Sequence, residues 1–227
     1  MARRLVVTVV GVAILCALVT VFIVGFVAKA PGSIASETAS QPRVAVGADS
    51  GQTETVIHLE TTGAVGTAVV YPRPDDPNPN WVGYLPTTTW KVPANSIVTI
   101  VIAQDDTPSG LRNPFWAKAQ GIVGGTFHMK YYDDQGNPQE GDFSHIDDAA
   151  NAAHTFAIPE LGVFVPLEGL SANAPANSYN EITFSFRVGK AGVFHWQCFV
   201  PCGSGTIYGN GGPMQTVGYM GGFLVVQ

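Results

Sequence analysis

Two hydrophobic textures divide this chain. From Leu5 to Val27 there are 23 consecutive positions without a charge. At ~1.5 Å per residue such a helix reaches about 35 Å, enough to cross a hydrocarbon core with some tilt. From Glu54 onward the period falls to two. Val56-Ile-His-Leu-Glu60 alternates, and Thr87 to Val92 leads through the turn Pro93-Ala-Asn95 into Ser96 to Ile102, which reads as a buried strand. Glu181 to Val188 alternates cleanly, with Ile182, Phe184, Phe186 and Val188 on one face. Thr155-Phe-Ala-Ile158, Val193 to Cys198 and Gly222 to Val226 complete the set. Many short strands at this spacing predict an all-β antiparallel sandwich preceded by one N-terminal transmembrane helix.

Three stretches break the β pattern. Tyr71 to Tyr84 is rich in proline and asparagine, Asp105 to Ala153 is too long for a plain connection, and Gly203 to Gly218 is rich in glycine. Within the second, Pro114 to Ala119 suits a helical turn, Thr126 to Tyr132 a strand, and Asp147 to Ala153 a short helix capped by aspartate. The expected layout is an anchor over residues 1–30, a flexible Ser/Ala/Gly/Thr/Gln-rich linker over 31–52, and a β domain over 53–227 with a long insertion at about 104–153.

Composition sharpens this layout. Charged residues make up only 12% of the chain and hydrophobic ones 46%. Arg3 and Arg4 precede the apolar run, so the positive-inside rule puts the N-terminus in the cytoplasm and the β domain outside it, at the cell membrane. Ala28-Lys-Ala30 resembles a cleavage site, so a secretory signal is the other reading, but the run exceeds the usual ~7–15-residue signal core. From residue 45 there are 16 acidic and 7 basic residues, a net charge of −9. That argues against nucleic acid and against adhesion to anionic lipid. It suits a basic soluble partner, or simply a solvated acidic surface. There is no phosphate loop, dinucleotide fingerprint or nucleophile elbow.

The chemistry gathers near the C-terminus. Cys198-Phe-Val-Pro-Cys202 places two thiols four residues apart at the end of a predicted strand, where they can converge on one soft metal ion. Copper comes first, because thiolate and imidazole together suit it. His154 waits upstream and Met220 downstream. In an oxidising compartment a Cys198–Cys202 disulfide is the alternative. Cys16 lies in the apolar run and reads as a small buried residue.

These residues match a family. His154-Thr-Phe-Ala-Ile-Pro-Glu-Leu-Gly162 resembles the first-histidine segment of cytochrome c oxidase subunit II. Gly192-Val-Phe-His-Trp-Gln-Cys198, followed by Cys202-Gly, resembles that family's two-cysteine segment, and Tyr219 to Val226 is similar to its methionine-containing last strand. The resemblance implies a Greek-key cupredoxin sandwich with a dinuclear copper centre. That centre takes electrons from cytochrome c or a small copper protein and passes them to integral membrane subunits of an oxidase. Carried over by position, His154 would bind one copper, Cys198 and Cys202 would bridge both, Val200 would offer its carbonyl oxygen, and Met220 its thioether.

One departure is large. The family places a histidine four residues after its second cysteine, but position 206 is threonine and no histidine follows Cys202; anchored on Met220, the place falls at Val217. Four outcomes follow: substitution by Met214 or Gln215; a single copper on His154, a cysteine and Met220; a disulfide and no copper; or His128 or His145 supplied by the insertion. His195 should leave the opposite face of its strand from the site. His58 reads as a surface residue, and His128 and His145 as strand and loop residues. Trp81 and Trp116 are candidate electron entry points. The functional expectation is a membrane-anchored cupredoxin subunit relaying electrons in a respiratory oxidase or copper-oxygenase complex, not catalytic alone. The alternatives are a copper-free accessory subunit and a copper-delivery protein.

Overall fold

The computed structural model describes residues 2–22, 37–38, 43–44, 53–66, 80–202 and 212–227. Most of the expected linker, the start of the Tyr71–Tyr84 loop and the first part of the Gly203–Gly218 loop lie outside the described residues. Two compact units are present, Met1–Ile34 and Ala35–Gln227. The first contains the helix α1, Ala2–Phe22. Its apolar side chains at Val10, Val12, Ile14, Leu15, Leu18, Val19 and Val21 are all exposed. Among the described residues no helix is long and apolar enough to cross a membrane. The uncharged run continues past Phe22, where the described helix ends.

The second unit consists of two β-sheets. The first sheet is ordered β1 (Glu37–Thr38), β5 (Thr89–Val92), β13 (Gly221–Val226), β12 (Gly192–Gln197), β9 (Ala152–Ile158), β10 (Val163–Glu168). The second is ordered β2 (Arg43–Val44), β3 (Thr53–Thr62), β6 (Ser96–Gln104), β11 (Asn180–Val188), β7 (Phe127–Tyr132), β8 (Pro138–Phe143), with β4 (Gly83–Leu85) paired to β3. Pairing is antiparallel except at β1–β5, β13–β5 and β3–β6. The expectation of a two-sheet β fold is met, but its antiparallel pairing is corrected at these three pairs, which alternation alone does not reveal.

Burial follows the pleat. In β11 the alternate residues Ile182, Phe184, Phe186 and Val188 are buried, as the period-two pattern predicts, while Arg187 is exposed. Between the sheets Trp196 stacks on Trp90 at 4.9 Å and on Phe156 at 5.3 Å, and Tyr84 meets it edge-on at 5.0 Å. Phe156 of the first sheet packs on Phe184 of the second at 5.3 Å. Large apolar rings at the centre of such a core bring most of the burial energy to few positions.

The insertion is partly structural. Its strand β7 pairs with β11, burying Phe127 and Met129, and β8 extends the hairpin outward. The helical turn at Pro114–Ala117 is present, and so is one at Ala149–Asn151, where Asp148 caps by accepting from the Ala150 amide at 2.9 Å. Five strands escape the pattern: β1 and β2 within the expected linker, β4 at the end of the expected Tyr71–Tyr84 loop, and β8 and β10. β8 is polar and lies at a sheet edge, and β10 contains Pro166, a residue edge strands tolerate because a missing N–H there faces no neighbour.

The sheet around Trp196 is tight at Gly222. A Cβ there would fall onto the carbonyl of Thr88, which already accepts from the Trp196 indole at 2.8 Å and the Phe223 amide at 3.0 Å. Gly222→Ala is therefore expected to destabilise the protein by about 1–3 kcal/mol or more. Thermal unfolding followed by circular dichroism checks this, and an unchanged Tm would refute the close approach.

Candidate metal centre

The site forms where three segments of the first sheet come together. β12 ends with Gln197 paired to Ala157 of β9, so Cys198 emerges beside the N-terminal half of that strand, which carries His154. The Cys198 amide donates to the Met220 carbonyl at 2.8 Å, tying the same point to the turn before β13. Cys202 then folds back, its amide donating to the Val200 carbonyl at 2.6 Å. Thr155 locks the corner: its hydroxyl accepts from the Phe199 amide at 2.7 Å, and its own amide donates to the Cys198 sulfur at 3.5 Å.

His154, Cys198 and Cys202 offer ligand atoms that all lie within 4.8 Å of one another, and all three residues are buried. His154 Nδ1 is 2.9 Å from the Cys202 sulfur and 4.0 Å from that of Cys198. The two sulfurs are 3.3 Å apart, and both cysteines are free thiols rather than a disulfide. The Val200 carbonyl oxygen lies 3.7 Å from the Cys198 sulfur. On the other side of the imidazole, Nε2 is 2.7 Å from the Asp106 carboxylate. A hollow of about 370 Å³ opens beside this group, its wall including Trp81, Asp106, Ser109, His154, Cys202 and Pro213.

Charge is shared across these groups. Burial opposes a charge on His154, but hydrogen bonds to Asp106 and Cys198 outweigh it and raise its pKa to about 9. Burial likewise opposes ionisation of Cys198. Hydrogen bonds from Cys202 and His154, with the imidazolium charge, override it and bring the thiol well below its ordinary range. Cys202 moves the opposite way, raised first by its hydrogen bond to Cys198 and then by burial. Two sulfurs this close do not both ionise without a cation between them. Burial also raises the Tyr84 phenol, helped by the charges of Cys198 and Cys202. Its hydroxyl has no hydrogen-bond partner among the described residues.

The structure thus brings together His154, Cys198, Cys202 and the Val200 carbonyl. Met220 has a fully buried side chain and its backbone on Cys198. Met214 sits in the turn Pro213–Gln215, partly buried against the core and outside the wall of the hollow. The candidate histidines of the insertion lie elsewhere. His128 is held at 3.0 Å from both Asp142 and Glu140, and His145 contacts the Ser144 hydroxyl at 3.1 Å. His195 stands beside Phe223 at 5.6 Å, in a strand whose next residue, Trp196, fills the core. His58 is exposed. Of the candidate aromatics, Trp81 lines the hollow, and Trp116 stacks on Phe199 at 4.6 Å, directly after Cys198 in sequence. Sequence reasoning missed Asp106. The available signal was a carboxylate pair opening the insertion, since ligating histidines commonly give their second nitrogen to a carboxylate.

No family model and no curated protein matches the chain. Similar solved structures include a heme-copper terminal oxidase dimer, at 13% identity over 100% of both chains with a TM-score of 0.27. Auracyanin B matches at 13% identity over 84% of this chain and 96% of its own, also at 0.27. Rusticyanin from Thiobacillus ferrooxidans matches at 12% identity over 85% and 100%, again at 0.27. Superpositions this loose have no bearing on function.

The shared charge sets a pH profile for the metal-free protein. On the acid side, where unfolded His154 is protonated and Cys198 is ionised only in the folded chain, the unfolded chain holds one more proton than the folded one, so stability rises with pH. Between 6.5 and about 9, folded His154 keeps the proton that unfolded Cys198 keeps, and the site's contribution is flat. Above about 9 folded Cys202 retains a proton that the unfolded chain releases, so stability falls. The Tm of metal-free protein should follow this plateau, and Cys198→Ser should remove its acid limb. An acid limb unchanged in that variant would refute the ionised sulfur.

Proposed function

We propose that this chain is a membrane-anchored, cupredoxin-type electron-transfer subunit holding a single copper ion between His154, Cys198 and Cys202. One observation carries the reading: an imidazole nitrogen and two sulfurs converge within 4.8 Å in a buried pocket. That donor set fits one soft ion. It does not fit a symmetric pair, in which each ion needs its own imidazole, because no histidine follows Cys202. Bound copper would supply a one-electron couple. The chain's residues would hold it, with the Val200 carbonyl and the Met220 side chain as weaker contacts, and would exclude bulk water by burial. The stack of Phe199 on Trp116 offers an entry route from the surface.

The anchor rests on the uncharged run Leu5–Val27 and the apolar side chains that α1 leaves uncovered. Arg3 and Arg4 would keep the N-terminus cytoplasmic. The net charge of −9 from residue 45 onward fits a basic donor such as a cytochrome c, and the acceptor would be an integral membrane subunit of an oxidase-type complex. A second reading has its own support. The imidazole already bridges a sulfur and a carboxylate, so the pocket is internally satisfied as a copper-free accessory subunit.

Metal analysis of the full chain, purified in detergent and supplied with copper, separates the two. The expected result is one tightly bound copper per chain, sulfur-to-copper charge-transfer absorption and a four-line EPR hyperfine pattern in the oxidised state. His154→Ala and Cys202→Ser should each abolish it. No retained copper, with Tm unmoved, supports the accessory reading. Two coppers with a seven-line pattern refute the single ion.

A further inference from the structure

We infer that Asp106 is a positioning residue for His154, supplied by the insertion to aim Nδ1 at the two sulfurs. The inference rests on the metal-centre reading for its purpose and on geometry for its substance. The carboxylate of Asp106 lies 2.7 Å from Nε2, on the ring edge opposite the sulfurs. An imidazole gripped at one nitrogen keeps a proton there and presents the other nitrogen as a lone pair. Asp106 is thus the hydrogen-bond partner of Nε2.

The main chain that carries this carboxylate is itself held. The Asp106 carbonyl accepts from the Leu170 amide at 2.8 Å and from the Gln104 side-chain amide at 2.6 Å, while its own amide donates back to Gln104 Oε1 at 3.2 Å. Gln104 is fully buried, and its Oε1 also accepts from the Thr61 hydroxyl at 2.6 Å. Three residues on, the amide and hydroxyl of Ser109 both donate to the Ala152 carbonyl, at 3.0 and 2.5 Å, two residues before His154. The loop is therefore fastened at one end to β6 and at the other to the strand that carries the imidazole. Such a frame aims a carboxylate; a solvated loop would not. Its negative charge beside the ring also favours an oxidised ion over a reduced one.

The test compares Asp106→Asn, Asp106→Ala and the neighbouring Asp105→Asn in the full chain in detergent. Asp105 is exposed and removes the same charge one residue away. Cu(I) affinity is read by competition with a chromophoric Cu(I) chelator, and the reduction potential by titration. The metal-free ring is read by NMR of histidine-selective ¹⁵N label, assigned with His154→Gln. Loss of an outer carboxylate partner commonly lowers metal affinity ~10–100-fold. Both Asp106 variants should show that loss and Asp106→Asn a raised potential, while Asp105→Asn stays within about twofold of wild type. The hydrogen-bonded Nε2 proton resonance should vanish in Asp106→Ala. Circular dichroism confirms folding, and near-isosteric Asp106→Asn decides the matter if the alanine variant does not fold. Unchanged affinity and potential with the resonance retained would overturn the inference. If wild type binds no copper, loss of the resonance still supports the positioning role, and the metal reading alone fails.

Discussion

Two sulfurs 3.3 Å apart in a buried pocket cannot both be anions without a cation to hold them. Everything at this end of the molecule answers that constraint. Without metal the cation is the imidazolium of His154, and the two thiols share one proton. Cys198, which gathers the hydrogen bonds, takes the negative charge, and Cys202 keeps the proton. Removing one partner from such a set leaves an uncompensated buried charge, which is far more costly than an exposed ion pair is worth. The constraint also explains why so many backbone contacts converge on a stretch of five residues. Thr155, Val200 and Met220 each fix the loop with a hydrogen bond to its main chain.

The scaffold makes this convergence possible at a distance of more than forty residues in sequence. β9 and β12 are neighbours in the first sheet, although β10 and β11 lie between them in the chain. Their adjacency is fixed by the core beneath. Phe156 on β9 and Trp196 on β12 stack at 5.3 Å, two residues from His154 and Cys198 respectively. Because side chains alternate across a strand, residues two apart share a face, so the rings that fill the core and the groups that form the site point to the same side. The ligands thus sit at the rim of the core and inherit its rigidity.

This explains what was legible in the sequence and what was not. The strands were legible where one face is apolar, as in β11, and illegible where the edge is polar or carries proline, as in β8 and β10. The His154 and two-cysteine segments were legible because each is a local motif, and the structure places them together. Asp106 was not, because its partner lies forty-eight positions away and no local period marks a loop that crosses a sheet end. For the same reason the insertion reads in sequence as an embellishment, yet it supplies β7, whose Phe127 and Met129 are buried, and one wall of the site.

Copper would change the charge of the pocket. Asp106, the imidazolium, one thiolate and one thiol sum to a single negative charge. If a monovalent copper displaces the protons of His154 and Cys202, a neutral imidazole, two thiolates and Asp106 leave the pocket with two. Loss of an electron from that ion returns it to one. A buried pocket resists the additional charge, because low polarisability raises the energy of any uncompensated ion. On that proposal the oxidised state would match the charge for which the metal-free pocket is already arranged, and the reduced state would strain it. Asp106 does not create this asymmetry but sets how much negative charge the reduced pocket would carry. A neutral residue there would leave the metal-free pocket uncharged and the oxidised pocket uncharged too, so the preference for matching would persist, but the reduced state would carry only one charge instead of two and become easier to reach.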